Sequence, residues 1–315
     1  MINLFEFDNH VIDTSEFDHL LHGEVVREFE NKLCEYVGAK YAASFFSASY
    51  ALYSIMKSKV IDTENKICIP SMIPPVVPNV LVDAGCEIEF NHNIDWVGGS
   101  YTLTDGVIDS AQRLDKNQFS ECLDDDLLVF SMYPTKPLSS LDGGVVVSNN
   151  KQKIDDLKSL SFYGMEYNED SWSRVQKQVG FKAYMSTMQA TIASKNLQNL
   201  ELKYERIDEI RDKYNREFGL SNTSRHLYRI NVIDNEAAIK LLNRNGIVAG
   251  IHYKPQHENP VFTKYNDDHE QFFFHQDVTL PSRRTLSIPM HHKLTNDQVD
   301  YIIKTVKESD VYSNN

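Results

Sequence analysis

The chain has 315 residues, 41% of them hydrophobic and 24% charged, an ordinary globular composition that excludes a disordered or fibrous chain. A formal net charge of −13 argues against nucleic acid as a partner, though not against a small phosphorylated ligand held by a few local donors. Cys34, Cys68, Cys86 and Cys122 form no C-x-x-C pair, so no metal site is read and the thiols fit a reducing compartment.

The N-terminal Met1 to Asp8 lacks the basic start and apolar core of a signal peptide. Gly23 to Val37 spaces Val26, Phe29, Leu33 and Tyr36 as an amphipathic helix would, and Tyr50 to Val60 reads as a second helix. The most apolar stretch, Ile67 to Val82, is broken by Pro70, Pro74, Pro75 and Pro78 and is too short to span a bilayer. The chain therefore reads as a soluble, cytoplasmic protein. Short apolar runs at Lys66–Ile69, Cys86–Phe90, Gly106–Asp109, Leu127–Met132 and Gly144–Ser148 predict buried strands of a mostly parallel sheet. Met188 to Phe218 predicts one long helix, or two with a bend. Beyond Gly219 the pattern restarts, with strand His226–Val232, helix Glu236–Asn245, strand Thr285–Ile288 and helix Asp297–Lys307. Thr295 and Gln298 are placed for a capping box on that last helix. The expectation is an α/β protein with a large domain over 1–205 and a small α/β domain over 206–315.

In an open α/β sheet, ligands bind beyond the carboxyl ends of the strands, so polar residues that follow apolar runs are the ones to weigh. Asp109 ends a short strand and either holds a cationic group or caps a following helix. Lys136 follows a buried strand in a turn bracketed by Pro134 and Pro137. It is either a surface lysine or a desolvated amine able to attack an aldehyde. Ser47-Ala48-Ser49 stands at a helix start, as an ordinary cap or as a phosphate cradle. Lys182, in Gly180-Phe181-Lys182, is a phosphate cation or a solvated charge.

Their order and spacing carry more than any one of them. Tyr36-Val37-Gly38-Ala39-Lys40-Tyr41, Ser47-Ala48-Ser49, Asp109-Ser110-Ala111-Gln112, Phe130-Ser131 with Lys136, Asp142-Gly143-Gly144, Gly180-Phe181-Lys182, Gly246-Ile247 with His252-Tyr253, and Leu286-Ser287-Ile288-Pro289 follow one another in that order. In this the sequence resembles the DegT/DnrJ/EryC1/StrS family of sugar aminotransferases, from about Phe29 to Lys307.

The resemblance implies the fold-type-I (aspartate-aminotransferase-like) architecture, a homodimer with shared active sites, and pyridoxal 5'-phosphate as cofactor. It implies Lys136 as the Schiff-base lysine and Asp109 as partner of the pyridinium nitrogen. Gln112 would lie on the ring-hydroxyl side. Ser131 and the Ser47-Ala48-Ser49 turn would hold the phosphate, and Lys182 would reach it from the other subunit. Tyr163, His252 and Tyr253 fall on the sugar-binding side. The implied reaction moves an amino group from an amino acid, usually glutamate, to a keto-deoxy sugar linked to a nucleotide. Family dehydratases carry His in place of the Schiff-base lysine, so Lys136 speaks against that alternative. A non-catalytic homologue that binds cofactor or a partner stays open. The sequence departs from the family in having Pro74 where an aromatic stacks on the cofactor ring, Ala48-Ser49 for Gly-Thr, and Tyr163 for a His before Gly164. The interval between residues 90 and 106 is also too short for one β–α unit of the family.

Overall fold

A computed structural model describes residues 1–21, 23–58, 60–61, 66–166, 173–262 and 284–312. The first helix, α1 (Glu24–Val37), buries Phe29, Leu33 and Val37 and stops at Gly38, whose φ of 82° allows its N–H to reach the Cys34 carbonyl at 2.8 Å. Glu30 is buried on the same face. It accepts from Ser44 of β1 (Tyr41–Phe45) and from Lys158 of α4 (Lys151–Ser161), so one carboxylate ties three elements together.

Between them lie α2 (Ala48–Lys57), β2 (Ile67–Pro70), α3 (Val76–Ala84) and β3 (Ile88–Asn91), then β4 (Tyr101–Thr104), β5 (Val107–Asp109), β6 (Leu127–Ser131) and β7 (Gly144–Ser148). The central sheet has the order β1-β7-β6-β5-β4. β1, β6 and β5 share a direction. β7 is reversed between β1 and β6, and short β4 is reversed at the edge. β2 and β3 form a separate parallel pair joined through α3. In β7, Val145 and Val147 enter one apolar cluster and Val146 the other, and β6 divides the same way. Both faces are covered, which is why these strands read as unbroken apolar runs.

One cluster lies against α2, α3 and α4. The other continues through α5 (Thr187–Gln198) and α6 (Leu200–Phe218) into β8 (Tyr228–Asn231), α7 (Asn235–Arg244), β9 (Thr285–Ile288) and α8 (Asn296–Lys307). The long helical stretch is two helices, parted at Asn199. The Thr295–Gln298 capping box opens α8 as its sequence predicts. Two helices that the sequence reading did not mark are α3, which opens behind Pro74-Pro75, and α4, capped by Asn150. The interval expected to lack a β–α unit holds the hairpin β4–β5, turned on Asp105-Gly106 with Gly106 at φ 74°.

Candidate active site

A cavity of about 450 Å³ opens at the carboxyl ends of β5 and β6, large enough for a cofactor-sized ligand. Asp109 and Lys136 both line it. Asp109 caps no helix. The chain turns after it, and Asp109 is 1% exposed, with Oδ1 accepting from the Ala111 N–H at 2.9 Å and Oδ2 from the Tyr101 hydroxyl at 3.0 Å. Burial pushes its carboxyl above the ordinary value, against the pull of both hydrogen bonds and of Lys136.

The surface reading of Lys136 does not hold. The backbone N–H of Lys136 closes a turn on the Tyr133 carbonyl at 2.8 Å, and Met132 N–H bonds Gly143 at 2.8 Å, folding the segment back on β7. Burial lowers the Lys136 ammonium to about 8, with Asp109 opposing the shift. About a tenth of such an amine is neutral at pH 7.

Facing them is the start of α2. The Ser47 side chain caps the helix by accepting from Tyr50 N–H at 3.3 Å. Ala48 and Ser49 line the cavity, and their N–H groups have no partner among the described residues. The helix can sit this close to the sheet because β7 begins with a glycine: a Cβ on Gly144 would stand 2.3 Å from Ala48 Cα. Ser131 lines the same wall and accepts from Tyr133 N–H at 3.4 Å. A phosphate would meet free N–H groups and a hydroxyl here.

Pro74, His252 and Tyr253 also reach the cavity. His252 Nδ1 lies 3.0 Å from Ser287 Oγ, and burial, then Lys136 and Arg229, lower its imidazole to about 4. Four predicted residues do not line it: Ser47, which caps α2, and Gln112, Lys182 and Tyr163. Gln112 is buried, with Oε1 accepting from Gly98 N–H at 3.2 Å and Nε2 unpartnered among the described residues, but it lines a neighbouring polar cavity with Arg113 and Arg225. Lys182 is exposed. Tyr163, at φ 60°, bonds Tyr184 through their hydroxyls at 3.1 Å, away from the cavity.

Residues that sequence reasoning missed complete the wall. Phe5 stacks on buried His226 at 5.7 Å and meets His252 edge-on at 5.9 Å. Trp96 stacks on Tyr253 at 6.3 Å and meets Tyr101 edge-on at 5.2 Å. No local signal marks Phe5 or His226. The Asp105-Gly106 dipeptide between Thr104 and Val107 is a hairpin signal that would have placed Tyr101 opposite Asp109.

A sequence profile described as the DegT/DnrJ/EryC1/StrS aminotransferase family matches residues 5–90 and 122–307. The chain belongs to this family. A Campylobacter jejuni protein named UDP-4-amino-4,6-dideoxy-N-acetyl-beta-L-altrosamine transaminase is 24% identical, over 97% of this chain and 99% of the relative. The Bacillus subtilis spore coat polysaccharide biosynthesis protein SpsC is also 24% identical, over 95% of this chain and 92% of its own length. The fold is shared with Helicobacter pylori PseC, an aminotransferase involved in the biosynthesis of pseudoaminic acid, at a TM-score of 0.77 and 19% identity over 96% of this chain and 98% of that one. It is shared too with the sugar aminotransferase CalS13 of Micromonospora echinospora, at a TM-score of 0.79 and 16% identity over 98% and 100%. In this family member, residues 91–121, which carry Trp96, Tyr101, Asp109 and Gln112, lie between the matched stretches.

Proposed function

We propose that this chain is a pyridoxal-phosphate aminotransferase acting on a keto sugar linked to a nucleotide, with an amino acid as donor. The observation that carries the reading is the meeting, in one cavity, of a lysine lowered to about 8, a buried carboxylate, and the free N–H groups of a helix start. Each suits one part of the cofactor: amine for aldehyde, carboxylate for ring nitrogen, helix start for phosphate. When bound, pyridoxal phosphate supplies an aldehyde carbon for amine exchange and a ring that withdraws electrons from the carbon losing its proton.

The protein's residues do the rest. Lys136 would hold the cofactor through Nζ and, when free, would take and return a proton at that atom. Asp109 keeps a proton on the ring nitrogen. Ala48 N–H, Ser49 N–H and Ser131 Oγ hold the phosphate. The walls of Phe5, His226, His252 and Tyr253 take the sugar, and the relatives named for UDP-sugar and polysaccharide chemistry support that substrate class. Lys182, exposed in one chain, serves the phosphate of a second copy in a homodimer.

The test is to add pyridoxal phosphate to the purified chain, reduce with borohydride and map the adduct. A stable adduct on Lys136, with glutamate bleaching the unreduced cofactor's absorbance, is the expected outcome. No adduct, or one on another lysine, overturns the reading.

A further inference from the structure

Asp109 sits in surroundings that favour the neutral acid, yet its proposed role needs the anion. Groups from four places face it, and the first three of them oppose the effect of its burial. Tyr101 reaches it from β4, the Ala111 N–H from the turn beyond β5, Lys136 from the turn after β6, and Tyr253 lies near it from the segment after α7. Among the described residues Tyr101 is the one side chain that donates a hydrogen bond to it. We propose that the hairpin β4–β5 is a device for keeping Asp109 ionised and aimed, with Tyr101 as the positioning residue and Trp96 as its brace. The inference deepens the proposed function and rests on it.

The geometry is built rather than incidental. Tyr101 and Asp109 are directly opposite in the antiparallel register, on one face of the pair, so the phenol reaches across to the carboxylate. Both are buried, and the hydroxyl meets Oδ2 at 3.0 Å. Burial and the neighbouring carboxylate hold that phenol protonated, so it stays a donor at any working pH. Trp96 fixes the ring. Its indole lies edge-on to Tyr101 at 5.2 Å and stacks on Tyr253, while Nε1 donates to the Met72 carbonyl at 3.2 Å. A hydrogen bond to a charged group in a buried site is among the stronger ones available to a protein. Trp96, Tyr101 and Asp109 all lie within residues 91–121, so one short segment supplies the carboxylate, its hydrogen-bond donor and that donor's brace.

If Tyr101 filled space alone, Phe would serve as well. The experiment uses the full chain, wild type and Tyr101→Phe, and measures the dissociation constant of pyridoxal phosphate across a pH series from cofactor absorbance. The phosphate and ring of the ligand titrate alike in both proteins, so the difference reports on Asp109. Affinity falls in acid as Asp109 takes a proton. Tyr101→Phe is expected to move that acid limb upward by about one pH unit, which is about ten-fold weaker binding at a fixed pH on the limb, with the two curves converging above it. In an Asp109→Asn background the same substitution is expected to shift nothing.

A uniform loss of affinity at every pH, or no change, overturns the inference and leaves the proposed function standing. A wild-type chain that does not bind pyridoxal phosphate overturns both. Should Tyr101→Phe fail to fold, Trp96→Phe is read instead. It keeps the hydroxyl and loosens its brace, so the limb is expected to move the same way by less, and an unmoved limb there overturns the inference.

Discussion

One wall of the cavity presents Ala48, Ser49, Ser131 and Lys136, all within the stretches matched by the family profile. A second part of the wall presents Trp96 and Asp109, with Tyr101 bonded to Asp109 behind them, all from the segment between those stretches. The first wall works through the backbone: N–H groups at a helix start with no partner among the described residues, a glycine beneath it, and a turn between two prolines that carries the lysine. The second works through packing: an indole against a phenol and a phenol bonded to a carboxylate. Backbone devices tolerate few residue types, because a Cβ or a missing N–H defeats them. Packing can be met by different side chains and even by a different element. Different side chains can therefore support the same carboxylate while the first wall is kept.

The largest expected effect breaks the first wall at its chemistry. Lys136→Met keeps the volume and removes the amine. Amino transfer should fall by about three orders of magnitude or more, with thermal unfolding little changed. A turnover assay with glutamate, beside a melting curve, checks both. Retained turnover in a folded variant would remove Lys136 from its role.

Trp96→Ala breaks the second wall. The indole is 2% exposed and touches Tyr101 and Tyr253, so its loss should cost about 3–5 kcal/mol in denaturant unfolding. Much the same stability in the variant would mean that the hairpin does not hold this wall.

Gly144→Ala probes the first wall without touching a reactive group. The added methyl would stand 2.3 Å from Ala48 Cα, a backbone atom that cannot swing aside. The variant should lose about 1–3 kcal/mol of stability. Pyridoxal phosphate binding should weaken with it, because α2 is displaced. A stability loss without an affinity loss would separate the helix start from the phosphate.

The same contrast decides what the sequence makes legible. Lys136 stands out because two prolines and an Asp-Gly-Gly run surround it, and Thr295 and Gln298 announce α8 because a capping box is a local device. The strands of the central sheet are visible because both faces are buried. Phe5, His226 and His252 meet only when the N-terminal segment packs onto the region around β8 and the turn after α7, and no local pattern encodes that meeting. Pro74 lines the cavity, and Trp96, from the shortened interval after residue 90, adds aromatic surface to the same lining. Lys182 is exposed and lies outside the cavity of its own chain.

The smallest effect concerns the histidines over the site. His252 is lowered to about 4 in the folded chain, against 6.5 for a free imidazole, first by burial and then by Lys136 and Arg229. Between these values the unfolded chain binds a proton that the folded one refuses, so acidification from pH 6.5 toward 4 favours unfolding. His226, lowered further by burial, Lys136 and His252, adds to the same slope. His252→Asn removes one titrating group and keeps a polar side chain for Ser287. It should therefore lose less stability than the wild type between about pH 7 and 5, by about 1–2 kcal/mol, in urea denaturation at the two pH values. Equal losses in both proteins would mean that His252 is open to protonation in the folded chain. The site would then carry a cation beside Lys136, where burial now favours a neutral ring.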